Sequence, residues 1–138
     1  MDQQFGITIG SDIAEIPEVS AWLEEVMQAS GFSEEAILDT QLAVEEAITN
    51  VIVHGYKKPG GEVSITCHIS SDCLEVEIAD TAPRFDPLSI PEPNIESSID
   101  QRSIGGLGVF LIRQVMDGVS YRYENGKNIL VLTKRRTI

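Results

Sequence analysis

The segment Ile104-Gly105-Gly106-Leu107-Gly108-Val109-Phe110-Leu111-Ile112 passes from a glycine cluster directly into an apolar helical run. Glycine leaves its backbone N–H unobstructed, and the start of the following helix projects a partial positive charge ahead of it. The segment is therefore a ready-made phosphate site. Taken alone, a glycine pair before a helix is equally a tight entry turn, so the context has to decide. From Thr81 to Ser103 the chain shows no hydrophobic period, while Pro83, Pro87, Pro91 and Pro93 recur. A structureless connection of that length inside a compact domain is usually a functional loop or lid.

The rest of the chain is strongly periodic. Phe5, Ile7 and Ile9 alternate with Gly6, Thr8 and Gly10 as a first strand. Val19, Trp22, Leu23 and Val26 have helical spacing within a helix from about Pro17 to Ala29, which Gly31 ends. Ser33 is a good N-cap for a second helix, with Glu34 and Glu35 in its first turn and an apolar stripe of Ile37, Val44, Ile48 and Val51. That helix is expected to run to about His54. Val63, Ile65, Cys67 and Ile69 alternate as a strand, Ser70-Ser71-Asp72 turns it, and Leu74, Val76 and Ile78 return. Gly106 to Asp117 is a third helix. Val119, Tyr121 and Tyr123, the hairpin signal Asn125-Gly126, and Ile129 to Thr133 complete the sheet. The order β-α-α-β-β-loop-α-β-β predicts an α/β two-layer sandwich, its mixed, mainly antiparallel sheet covered on one face by helices.

Length and charge limit the partners. A chain of 138 residues is read as one domain, 1–138, large enough to bury a core without staples. Its net charge of −12 repels nucleic-acid backbones and anionic lipid, so neither is expected as a partner, and a protein with a basic patch is favoured. A nucleotide bound here must be held by local groups against that field. No apolar run approaches the ~20 residues that span a bilayer. Met1-Asp2-Gln3-Gln4 lacks a positive start followed by an apolar stretch, so a cytoplasmic chain is expected. Cys67 and Cys73 lie in strands, make no metal pattern and read as small buried hydrophobes.

Two further pieces stand upstream of the glycines. Glu46 and Asn50 are four residues apart on the second helix, and His54 continues their row. Such a row by itself describes a solvated face. Here Ala43, Ala47, Val51, Ile52 and Val53 make the helix apolar nearly all round, and polar residues on such a helix tend to line a pocket. Asp80 closes the strand Leu74 to Ile78, either as a turn residue or as a carboxylate placed to accept from an exocyclic amine.

Together, Glu45 to Tyr56, Asp80 to Pro87 and Gly105 to Gly108 resemble the N, G1 and G2 boxes of the GHKL superfamily of ATP-binding domains, in order and in placement on the elements. Within it the chain looks most like the stand-alone anti-sigma-factor serine/threonine kinases. The resemblance implies a Bergerat-type fold, ATP and Mg²⁺ as cofactors, and a lid at about 87–104. It implies that Glu46 is the catalytic base, that Asn50 holds the metal, and that Asp80 reads the adenine amino group. Gly105, Gly106, Leu107 and Gly108 would wrap the phosphates, with His54, Ala82 and Arg102 also at the nucleotide and Arg84 a second candidate cation. The implied partners are a STAS-type anti-sigma antagonist as substrate and a sigma factor or similar regulator as ligand. A homodimer formed through the edge of the first strand is a further expectation from the family.

Two positions depart from that pattern. Ala82 stands where the G1 box normally carries glycine, and Asn128 stands about where a threonine often follows a glycine. If position 82 requires a left-handed backbone, alanine costs about 1–2 kcal/mol there. If glycine serves only for close approach, the methyl fits against the adenine face. Ala82 favours an alternative function, a nucleotide-binding regulatory module that sequesters partners without efficient kinase activity.

Overall fold

The computed structural model describes residues 2–56, 60–89 and 106–136, with the backbone alone at 106 and 107. Strand β1 (Gln3–Gly10) leads through a short helical turn at Ile13–Glu15 into α1 (Ile16–Ala29), and α2 spans Glu34–Asn50. Strands β2 (Glu62–Ile69) and β3 (Cys73–Asp80) follow, then a single helical turn at Pro87–Ser89, α3 (Gly106–Val115), β4 (Gly118–Glu124) and β5 (Lys127–Arg135). The sheet order is β1-β2-β3-β5-β4, and all four pairings are antiparallel. This is the expected α/β sandwich. No helix among the described residues is long and apolar enough to cross a membrane.

Local signals act where they are expected. The Ser33 hydroxyl accepts the Ala36 N–H at 3.1 Å and starts α2. Gly31 closes α1 at a φ of +83°. Asn125 and Gly126 have φ of 53° and 77°, the two left-handed residues of a type I′ hairpin. Period-two burial on β2 sends Val63, Ile65, Cys67 and Ile69 inward against α1 and α2. Leu23, Met27, Ile48, Ile65, Leu74, Ile78, Ile112 and Leu132 are fully buried between the layers. Cys67 lies in this core, and burial pushes its thiol up to about 12, which leaves it inert. Cys73 is only partly buried.

One boundary differs from expectation in a way that matters for function. The α-helical part of α2 ends at Asn50, and Val51–Tyr56 forms a wider π-turn. A π-turn inserts roughly one extra residue per turn. The residue brought beneath Asn50 is then Gly55 rather than His54, and His54 is left exposed.

The π-turn ends in a clamp. The Tyr56 hydroxyl donates to the Glu62 carbonyl at 2.7 Å and accepts the Thr81 N–H at 2.9 Å. The Thr81 hydroxyl lies 3.1 Å from the same oxygen. The Tyr56 ring covers Gly61 so closely that a Cβ built there would fall 2.5 Å from two ring carbons. We expect Gly61→Ala to force the ring aside and to destabilise the fold by about 1–3 kcal/mol, read as a lowered urea midpoint at unchanged m-value. An unchanged midpoint would show that the ring is not held against this backbone.

Candidate functional site

A cleft opens between α2 and the ends of β3 and β5, with Ala47, Asn50, Val51 and Gly55 on the helix side. Ile78, Asp80, Tyr121, Asn128 and Leu130 face it from the sheet, and Val109 and Ile112 of α3 close the far wall. Ala82, Pro83, Phe85, Pro87 and Leu88 of the following loop form the rim. The lining is mostly apolar with a few polar groups at one end, the character of a pocket for a flat heterocycle.

Asp80 is that polar end. It is 6% exposed, and its Oδ1 accepts from Asn128 Nδ2 at 2.9 Å and from the Ala82 N–H at 3.0 Å. Its second oxygen, Oδ2, accepts no bond from any described residue. Burial raises the Asp80 carboxyl above its ordinary value, opposed by the two hydrogen bonds from Asn128 and Ala82. A buried carboxylate with one oxygen satisfied and one open suits a ligand that brings a donor.

The opposite end is built by helices. Gly108, in the first turn of α3, lies against Glu46 and Asn50. A Cβ placed on it would come 2.9 Å from Glu46 Oε2 and 3.6 Å from Asn50 Nδ2. Only glycine lets the N-terminus of α3, with its free N–H groups, approach these two side chains so closely. Glu45, the neighbouring carboxylate, instead accepts the Ser20 hydroxyl of α1 at 2.6 Å. The side chains of Glu46 and Asn50 make no hydrogen bond to any described residue. Among the described residues no three His, Cys, Asp or Glu side chains converge as a metal cage. A magnesium ion here would be held by Asn50 together with phosphate oxygens and water, the arrangement Mg²⁺ favours.

Comparison with known proteins gives the family of the chain. Residues 9–134 match the family profile described as a histidine kinase-like ATPase domain. The serine-protein kinase RsbW of Listeria innocua is 38% identical over 117 residues, which cover 81% of this chain and 74% of that protein. The Bacillus cereus protein of the same name is 30% identical over 110 residues, 77% of this chain and 69% of the relative. The chain belongs to the histidine kinase-like ATPase family. Its place there is with the anti-sigma-factor kinases of the GHKL group. The fold also matches part of the solved structure of the RsbU and RsbW domains of Rv1364c from Mycobacterium tuberculosis, with a TM-score of 0.69 at 17% identity. The match covers 97% of this chain and 32% of that one, so this chain spans about a third of its length.

The structure of this histidine kinase-like domain gathers some of the sequence-derived residues and not others. Asn50, Asp80 and Ala82 line one cleft, and Gly108 abuts Glu46 and Asn50 at its helical end. His54 is a correction, because the π-turn carries it to the exposed side and puts Gly55 in its place. Gly106 begins α3, and nothing is described of the Leu107 side chain. Arg102, Gly105 and most of the lid lie outside the described residues. Arg84 is exposed and stacks on the Tyr123 ring, 5.1 Å from its centre.

Among the described residues Asn125 alone, glycines aside, has a positive φ, so Ala82 is not left-handed and carries no such strain. Its methyl sits on the cleft wall, where a Cβ added to Gly55 would meet it at 3.2 Å. Sequence reasoning missed Tyr56 and Asn128 as parts of the site.

The raised Asp80 carboxyl fixes the sign of two effects. A carboxylate raised in the folded state stabilises the fold below its unfolded value and loses that contribution as pH rises through the folded one. At neutral pH ionised Asp80 therefore burdens the fold, and Asp80→Asn is expected to leave the melting temperature unchanged or higher. In nucleotide titration the same variant should lose about 5–150-fold in ADP affinity, because an amide donor would face an amine donor. Wild-type ADP affinity should fall on acidification, starting above the ordinary carboxylate range of about 3.9. A variant that melts lower and binds ADP normally would contradict both statements.

Proposed function

We propose that this protein is an ATP-dependent serine/threonine kinase of the anti-sigma-factor type, which phosphorylates a STAS-type antagonist and reversibly binds a sigma factor or similar regulator. The observation that carries the reading is the meeting of Glu46, Asn50 and Gly108 beside a cleft that Asn50 and Asp80 both line. The relatives' name, serine-protein kinase, supports the transfer. The antagonist and the sigma factor come from the resemblance to the family.

Each residue has work suited to its position. Asp80 accepts the exocyclic amine of adenine at Oδ2, while Val51, Ile78 and Leu130 exclude water from the base. Asn50 offers its amide oxygen to the metal. Glu46, held one helical turn from Asn50, takes the proton of the attacking serine hydroxyl at its free carboxylate. The N–H groups at the start of α3 neutralise phosphate charge. Magnesium-bound ATP would supply the phosphoryl group itself, and phosphoryl transfer asks the protein mainly for positioning and charge neutralisation. The alternative, a nucleotide-binding regulatory module without efficient kinase activity, draws on Ala82 in place of the G1 glycine.

Incubation with labelled ATP, Mg²⁺ and antagonists encoded nearby tests the proposal. We expect label on an antagonist serine, and transfer by Glu46→Gln slower by about 10²–10⁴-fold with ATP affinity nearly retained. Tight ATP binding without transfer to any antagonist would point to the regulatory module instead.

Gly108→Ala gives a second, independent test. The added methyl would meet the mobile end of Glu46 rather than backbone, so the melting temperature should change little. Displacement of that carboxylate should nonetheless slow transfer by about 10²-fold. Unimpaired transfer would mean that Glu46 is not the base.

A further inference from the structure

The helix-facing side of β5 runs from the cleft to the opposite end of the helix layer. Asn128 and Leu130 line the cleft, Leu132 is fully buried, and Lys134 reaches in between α2 and α3 at the far end. The Lys134 side chain is 13% exposed. Its Nζ donates to Asp39 Oδ2 of α2 at 2.9 Å and to the carbonyl of Val115, the last residue of α3, at 2.6 Å. A cation on the terminal carbonyls of a helix meets the negative end of its dipole. A ten-residue helix places its ends about 14 Å apart. Lys134 therefore grips α3 at the end remote from Gly108.

The two ends of α3 are held differently. At its start, Gly108 meets Glu46 and Asn50 by close approach, and those two side chains bond to no described residue. Along its length, Val109, Ile112 and Met116 are buried. Apolar contact is non-directional, so it fixes how deep the helix sits but resists a small slide along the helix axis only weakly. A hydrogen bond has a preferred length and angle and acts as an axial stop. The chain leaving α3 is tied down beside it, with the Asp117 N–H on the Thr133 carbonyl at 2.9 Å, and Lys134 joins this anchor to α2.

We infer that Lys134 is a positioning residue: by gripping the C-terminal carbonyl of α3 and Asp39 together, it fixes the axial register of α3 on α2, and thereby the seat for phosphates between the start of α3 and Asn50. The inference rests on the nucleotide reading above and adds to it a residue that touches no ligand.

Removal of the ammonium strands Asp39, so loss of stability and loss of position must be told apart. Lys134→Met keeps the apolar stem, and Lys134→Met combined with Asp39→Leu also removes the stranded carboxylate. Replacing both members of a partly buried ion pair by apolar groups is often neutral or stabilising, so the double variant should melt higher than Lys134→Met. Calorimetric titration with ADP and with adenosine, at fixed Mg²⁺, reads the position of α3.

The wild type should bind ADP at least tenfold more tightly than adenosine. Both variants should lose about tenfold in ADP affinity while adenosine stays within about threefold of the wild type. The apolar walls formed by Val109 and Ile112 tolerate a small slide that bonds to phosphate oxygens do not. Recovery of ADP affinity in the double variant, in step with its melting temperature, would make Lys134 a stabilising contact only and overturn the inference. Equal losses for ADP and adenosine would overturn it as well. Should Lys134→Met fail to fold, the ADP-over-adenosine ratio of the double variant decides alone. A wild type that binds neither ligand, or ADP no better than adenosine, would instead defeat the nucleotide reading itself, so the two failures are distinguishable.

Discussion

A carboxylate closed off from water must find donors or give up its charge, and Asp80 meets that constraint at the end of a central strand. Asn128 and the Ala82 N–H supply two donors to one oxygen, and the other is left for whatever enters the cleft. Much of the surrounding structure keeps this arrangement in place. The β3–β5 register sets Asn128 opposite Asp80. Tyr56 pins Thr81, the next residue, through its backbone N–H and its hydroxyl. Phe85 N–H and Tyr121 hold the far side of the Asn128 amide. The fold carries the burden of a partly satisfied buried carboxyl, as functional sites often do.

The other end of the cleft is organised by close approach rather than by hydrogen bonds. Glu46 and Asn50 lie on a helix whose other face is buried by Ile37, Val44 and Ile48, and the start of α3 is pressed onto them at Gly108. Arg113 of α3 donates to the Leu88 carbonyl at 3.3 Å, and Asp86 caps the Leu88 N–H at 2.8 Å. The near end of the proline-bearing loop is thereby fastened to the same helix. Motion of α3 relative to α2 would alter the surroundings of Glu46 and also the wall of the Asp80 cleft, which Val109 and Ile112 of the same helix form.

The layout of the fold was legible because burial on strands and helices follows simple periods. Val63, Ile65, Cys67 and Ile69 announced β2, and Asn125-Gly126 announced the last hairpin with its two left-handed residues. The N-box residues were legible because polar groups interrupt an apolar helix. His54 was misplaced because a π-turn changes the count per turn without any compositional mark, and the α-helical row from Glu46 through Asn50 breaks at that turn. Tyr56 and Asn128 were invisible as site residues for a different reason. Their partners lie 25 and 48 residues away, and nothing local to either residue states which strand will stand opposite. Asn128 looked like a departure from a family pattern, whereas its structural meaning depends on Asp80 and Ala82 together.

These two departures are better understood as one. The Ala82 carbonyl and N–H both belong to the network that Asn128 and Asp80 share, and its methyl fills the space beside Gly55 that a glycine would leave open. Asn128 bonds the carboxylate directly and catches the loop carbonyl with the same NH₂ group. With the loop so held, residue 82 needs no left-handed backbone and tolerates a side chain.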